Sequence, residues 1–162
     1  MTSRRAFLTG SAALAAGGLV SFGAEAQGAA IGAIRVDASR IGPQGWGERS
    51  VRIARTLEQE LARQLGAQRQ RGGPTLYVTI QGVWLASYAG SGMAGDGSGS
   101  GNDNMDSLAE LIDRGRVLAS YPIRSTLHPS SGGAWYRPDS DQRRVAALLE
   151  NNALWIKRYL GG

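Results

Sequence analysis

The sequence predicts a two-layer α/β sandwich, in the order β-α-β-β-β-α, with both helices on one face of a mixed sheet. Three observations predict it. Two stretches, one early and one at the end, carry apolar residues at helical spacing. Between them, residues 76–80 alternate apolar and polar side chains, as a half-buried strand does. Asp113-Arg114-Gly115 then separates two further strand-like runs at hairpin distance.

The elements follow in order. Residues 31–38 place Ile34, Val36 and Ala38 on one face and Arg35 and Asp37 on the other, which reads as a first strand. Ile41-Gly42-Pro43-Gln44-Gly45 breaks it. A helix is expected over 46–65, because Trp46, Ser50, Ile53, Ala54, Leu57, Leu61 and Leu65 share one face, and Gly66 stops it. After Gly72-Gly73-Pro74, Leu76, Val78 and Ile80 alternate with Tyr77, Thr79 and Gln81. Gly82 marks a bulge, and Val83-Trp84-Leu85 continues that strand. The strand–helix–strand unit implies a right-handed crossover and one parallel pair.

Residues 90–104 are almost all Gly, Ser, Asn and Asp, which predicts a long flexible hairpin loop. Strands are expected at 105–113 and 116–127, with Val117, Ala119, Tyr121 and Ile123 on one face. Pro122 points to an edge position or a bulge. A loop over 128–138 leads to a last helix from Ser140 to Leu160. Asp139 and Gln142 have the spacing of a capping box. Val145, Leu148, Leu149, Asn152, Trp155, Ile156 and Leu160 form its inner stripe.

The amino terminus stands apart from this pattern. Ser3-Arg4-Arg5-Ala6-Phe7-Leu8 resembles the twin-arginine export motif, and a weakly apolar, Gly-diluted stretch runs on to Ala24. Ala24-Glu25-Ala26 supplies a small-x-small cleavage site at Ala24 and Ala26. Residues 1–26 are therefore read as a twin-arginine signal, with the translocase as partner and the periplasm as destination; an ordinary secretory signal is the alternative. The stretch is too weakly apolar for a membrane span, so a stable membrane protein is not expected. Residues 27–162 form one domain, whose size allows a core without staples.

Composition narrows the chemistry. The absence of cysteine excludes disulfides, thiolate metal sites, a cysteine nucleophile and a lipid-modified amino-terminal cysteine. The net charge is +5, and Lys157 is the only lysine. Either a codon bias toward arginine or an anionic partner accounts for that. The arginines are scattered, with no dense basic run, so nucleic acid is not an expected partner.

Pro74-Thr75-Leu76-Tyr77-Val78-Thr79-Ile80, the Gly-rich loop, and Leu111-Ile112-Asp113-Arg114-Gly115-Arg116-Val117-Leu118-Ala119 resemble small envelope domains of the broad group that includes CsgG and the amino-terminal domain of TolB. The resemblance spans residues 31–160 as an order of elements. It implies a non-enzymatic envelope domain and carries over no functional residue.

Candidate sites are few. Gly90-Ser91-Gly92-Met93-Ala94-Gly95 matches a dinucleotide fingerprint by letters, but no helix follows to face a pyrophosphate. No cofactor is expected. Asp96, Ser98, Ser100 and Gly101 begin like a calcium loop, with Asp103 and Asp106 able to help, yet Ser107 stands where the closing glutamate belongs. His128, the one histidine, lies in a polar loop and suits either a solvated residue or a hydrolase base. Glu110 and Asp113 make a possible carboxylate pair on the hairpin. Tyr77, Trp84, Trp135 and Tyr136 serve either to cover the core or to anchor an interface. The expected function is a non-catalytic periplasmic binding or envelope-assembly domain, associating with another envelope protein or with itself through the open sheet face. A hydrolase using His128, or a protein binding calcium or an anionic ligand, is the alternative.

Overall fold

The computed structural model describes residues 29–87, 101–134 and 136–161. The signal segment with Arg4, Arg5, Ala24 and Ala26, most of the Gly-rich loop, and Trp135 lie outside the described residues.

Six elements form the predicted sandwich: β1 (Ala33–Asp37), α1 (Arg49–Gln64), β2 (Thr75–Trp84), β3 (Asp103–Asp113), β4 (Arg116–Leu127) and α2 (Ser140–Tyr159). The strands stand in the order β1-β2-β3-β4. β1 runs parallel to β2, and the other two pairs are antiparallel. Each strand turns one face to the helices. Leu76, Val78 and Ile80 of β2, Met105 and Ala109 of β3, and Ile123 of β4 are buried with Leu57 and Leu61 of α1 and Leu148, Leu149 and Ile156 of α2. Burying a leucine fully contributes roughly 1.5–3 kcal/mol, so this cluster sets the stability of the domain.

β1 is short because Asp37 turns the chain. Its carboxylate accepts the Ser39 amide at 2.8 Å, and a 3-10 turn over Ser39–Ile41 follows. β1 pairs with β2 only from Thr75 to Thr79, so the second half of β2 runs on beyond it. The first helix begins three residues later than its apolar stripe. Gly45 (φ 97°) and Gly47 (φ 49°) take left-handed backbone that interrupts helical geometry, and Trp46 is held in the turn before α1. It still packs against the core from there.

The hairpin turn needs left-handed backbone at Arg114 (φ 48°) and Gly115 (φ 80°), as a type I′ turn does. Pro122 sits on the edge strand β4, where a missing N–H costs no ladder bond.

Several expectations need correction. The register slip falls between Ile80 and Gly82, so Gln81 is the extra residue of the bulge. A second slip leaves Leu118 unpaired, which turns Val117 away from Ala119, Tyr121 and Ile123 to stand exposed opposite Ile112. Asp139 caps nothing with its side chain and pairs instead with Arg143 at 3.4 Å. Trp155 leaves the inner stripe and is 39% exposed, tilted against Tyr159, which stacks on Tyr121. β3 begins at Asp103, inside the stretch read as loop, because Asp103 has a buried partner.

Candidate ligand-binding cleft

The overhang of β2 past β1 leaves a strand edge to be covered. The turn before α1 covers it with side chains. Gln44 Nε2 donates to the Gln81 carbonyl at 2.9 Å, and Trp46 Nε1 donates to the Val83 carbonyl at 3.1 Å. Two edge acceptors are thus satisfied without a neighbouring strand. The Arg49 guanidinium, from the first residue of α1, lies over the Trp46 ring at 5.7 Å from its centroid.

The bulge at Gln81 turns Trp84 onto the open face of the sheet. Its ring lies flat against Gly82, where a Cβ would fall 2.1–2.7 Å from three ring carbons, so only glycine admits this packing. The ring's other side stays open, and Trp84 is 51% exposed. Between these groups lies an open cleft of about 320 Å³, lined by Gln44, Gly45, Trp46, Arg49, Val83, Trp84 and Leu85.

The end of β2 is fixed from below by a buried ion pair. Asp103 on β3 is fully buried and Arg144 on α2 is 2% exposed. Arg144 Nε donates to Asp103 Oδ2 at 2.7 Å, and its Nη2 donates to Asp103 Oδ1 and to the Ala86 carbonyl. The Ala86 amide donates to Asp103 Oδ1 at 2.9 Å. Two side chains therefore extend the β2–β3 ladder past Trp84 and fasten it to α2. The cleft wall is thus anchored by hydrogen bonds where Trp84 leaves the strand.

The residues singled out from sequence are spread over the molecule. Tyr77 and Trp84 share the open face but stand seven residues apart on β2, roughly 20 Å at a strand's rise per residue. Tyr77 is half-buried in a row with Arg35 and Glu110. Tyr136 is 73% exposed in the loop entering α2. Strand alternation sets Glu110 and Asp113 on opposite sides of β3, so they make no carboxylate pair. Asp103 and Asp106, considered as calcium ligands, are engaged by Arg144 and by Arg124, the latter at 2.8 Å. His128 does have a neighbour: its Nδ1 lies 2.8 Å from Ser130 Oγ and accepts the Ser130 amide at 3.2 Å. That nitrogen thereby caps the short turn Pro129–Gly132, in an exposed position.

The cleft that Trp46 and Trp84 share, and the pairing of Asp103 with Arg144, were missed from the sequence. A signal existed for the second pair. Asp103 is in phase with Met105, Ser107 and Ala109 on β3, and Arg144 lies one helical turn before Leu148 on α2. Opposite charges at two in-phase inward positions mark a buried pair.

No family model and no curated protein matches the sequence. Among solved structures, the chain is similar to a protein of Caulobacter crescentus CB15 described as a proposed lipoprotein, with 16% identity, a TM-score of 0.48, and coverage of 79% of this chain and 87% of that one. A likeness at this level transfers neither ligand nor role.

Proposed function

We propose that this chain is exported by the twin-arginine route and acts in the periplasm as a non-catalytic binding domain, with its ligand held in the cleft between Trp46 and Trp84. The observation that carries the binding half is the cleft itself. Two tryptophans are held in place, one by Val83 and one by Gly82, and a ring face is left uncovered. Trp46 packs against the core from one side, but the exposed, fixed ring of Trp84 beside it suits contact with a ligand better than support of the core. The open face as a whole offers a protein partner less, since the row of Arg35, Tyr77, Glu110 and Ser120 is chemically mixed.

What supports the address is the leader, Ser3-Arg4-Arg5-Ala6-Phe7-Leu8 with Ala24-Glu25-Ala26. Among the described residues, no helix is long and apolar enough to cross a membrane. What supports a non-catalytic role is His128: its Nδ1 is occupied within its own turn by Ser130, and among the described residues no carboxylate bonds the ring as catalysis would need.

Two measurements test this. Changing Arg4 and Arg5 to Lys is expected to leave the uncleaved precursor in the cytoplasm, visible as a slower band on a blot of fractionated cells; normal processing of that variant would remove the route. The second follows the indole N–H signals of the full chain by nuclear magnetic resonance during addition of soluble envelope extract. The Trp46 and Trp84 signals should shift, equally in His128→Ala, while Trp155 stays. Unmoved Trp46 and Trp84 signals would end the binding reading.

A further inference from the structure

We infer that the cleft takes a saccharide bearing an acidic group, seated by a ring face on Trp84 and by its anion on Arg49. The inference rests on the proposal that the cleft is the binding site, and it adds what is bound.

Three features select this chemistry. First, the backbone acceptors of the edge are spent. The Gln81 and Val83 carbonyls already receive Gln44 and Trp46, so an extended peptide joining the sheet finds no acceptors at these positions. The ligand must therefore be recognised by side chains. Second, Arg49 is charged and exposed, and it has no acidic partner among the described residues. The guanidinium lies beside the Trp46 ring and is exposed, and its fork of N–H groups can donate to a carboxylate or phosphate in bidentate fashion. A neutral ligand covering this site would strip water from that charge without replacing it. Third, the cleft is open, and Trp84 offers a single face because the other is pressed on Gly82. An apolar small molecule needs walls on most sides. A sugar ring needs one platform, since the weakly positive C–H groups on its face meet the electron-rich indole while its hydroxyls remain in water.

The full chain is titrated with trigalacturonate, glucose 6-phosphate, uncharged maltotriose and a proline-rich peptide, following the same indole signals. Trigalacturonate or glucose 6-phosphate should shift Trp46 and Trp84, and which of them does so tells a carboxylate from a phosphate source. Loss of a charge-assisted contact should raise Kd about tenfold or more in Arg49→Gln, with added salt acting in the same direction. Trp84→Ala should weaken binding comparably. Both side chains are exposed, so the folded state of each variant is readily confirmed by its circular dichroism. Equal binding of maltotriose, or unchanged affinity in Arg49→Gln, would overturn the acidic requirement. A response to the peptide alone would overturn the saccharide. If envelope extract moves the two signals and none of the four probes does, the saccharide class falls while the binding reading stands. If extract also leaves them unmoved, both fall.

Discussion

Replacing Arg144 with Met is expected to destabilise the domain by about 3–5 kcal/mol, the range for removing one partner of a buried ion pair. The cost has a specific origin. Asp103 is fully buried, and without the guanidinium its carboxylate keeps only the Ala86 amide among the partners named above. The Ala86 carbonyl loses its donor as well. Asp141, which receives Arg144 Nη1 at 3.1 Å, is exposed and can turn to water, so it adds little. Thermal and urea unfolding of the full chain measure the effect, which should appear as a fall in Tm of more than about 10 °C. Asp103→Leu alone should cost a similar amount, because it strands the arginine.

The double variant separates charge from architecture. With Asp103→Leu and Arg144→Met together, no buried charge is left unpaired, and apolar replacements of buried pairs are often neutral or better. Here the recovery should be partial, since the Ala86 amide and carbonyl are still deprived of Asp103 and Arg144. A double variant less destabilised than either single one is therefore expected. A loss below about 1 kcal/mol in Arg144→Met would mean that water enters this end of the sheet and that the clasp does not fix Trp84.

The sheet and both helices were legible because apolar side chains recur at the period of each element. Leu76, Val78 and Ile80 could form nothing but one strand face, and Ile53, Leu57 and Leu61 nothing but one helix face. Pro122 and Gly115 were legible for a different reason, since each restricts the backbone in a way few environments accommodate. The start of α1 was not, because the apolar period passes through Trp46 while Gly45 and Gly47 stop the helix from reaching it. The cleft was hidden by a length. Nothing local to Trp46 or Trp84 says that β1 ends at Asp37 while β2 continues to Trp84. That overhang depends on the Asp37 turn and on the bulge at Gln81 together. The clasp was hidden by habit, since a charged residue at the start of a helix and an aspartate between two asparagines at the end of a Gly-rich run both look solvated. Only their phase relative to Leu148 and Met105 places them inside.

The same phase argument governs Asn152, the polar residue within the α2 stripe, and Asn152→Leu is expected to destabilise by about 2–4 kcal/mol. Asn152 is fully buried, as is Ser125, and Ser107 is 2% exposed. The asparagine bridges the two strands: Ser107 Oγ donates to Asn152 Oδ1 at 3.0 Å, and Asn152 Nδ2 donates to Ser125 Oγ at 3.1 Å. Ser107 stands on β3 and Ser125 on β4, diagonal neighbours in a register where Ser107 faces Ile123 and Met105 faces Ser125. Leucine is close to asparagine in size but answers neither hydroxyl. Each stranded hydroxyl then carries a desolvation penalty of roughly 1–3 kcal/mol. The triple variant Asn152→Leu, Ser107→Ala, Ser125→Ala removes every member of the network, and its stability should return most of the way to that of the parent despite the small cavities left at the serines. Chemical unfolding of Ser107→Ala, Ser125→Ala, their double variant, the single Asn152→Leu and the triple variant measures the coupling. If the triple variant is instead the least stable of the set, the loss lies in packing volume and the network contributes little. If it recovers in urea while its β3–β4 amides exchange faster than those of the parent, the asparagine also holds the register of the edge strand against α2, the role that a lone buried amide serves best.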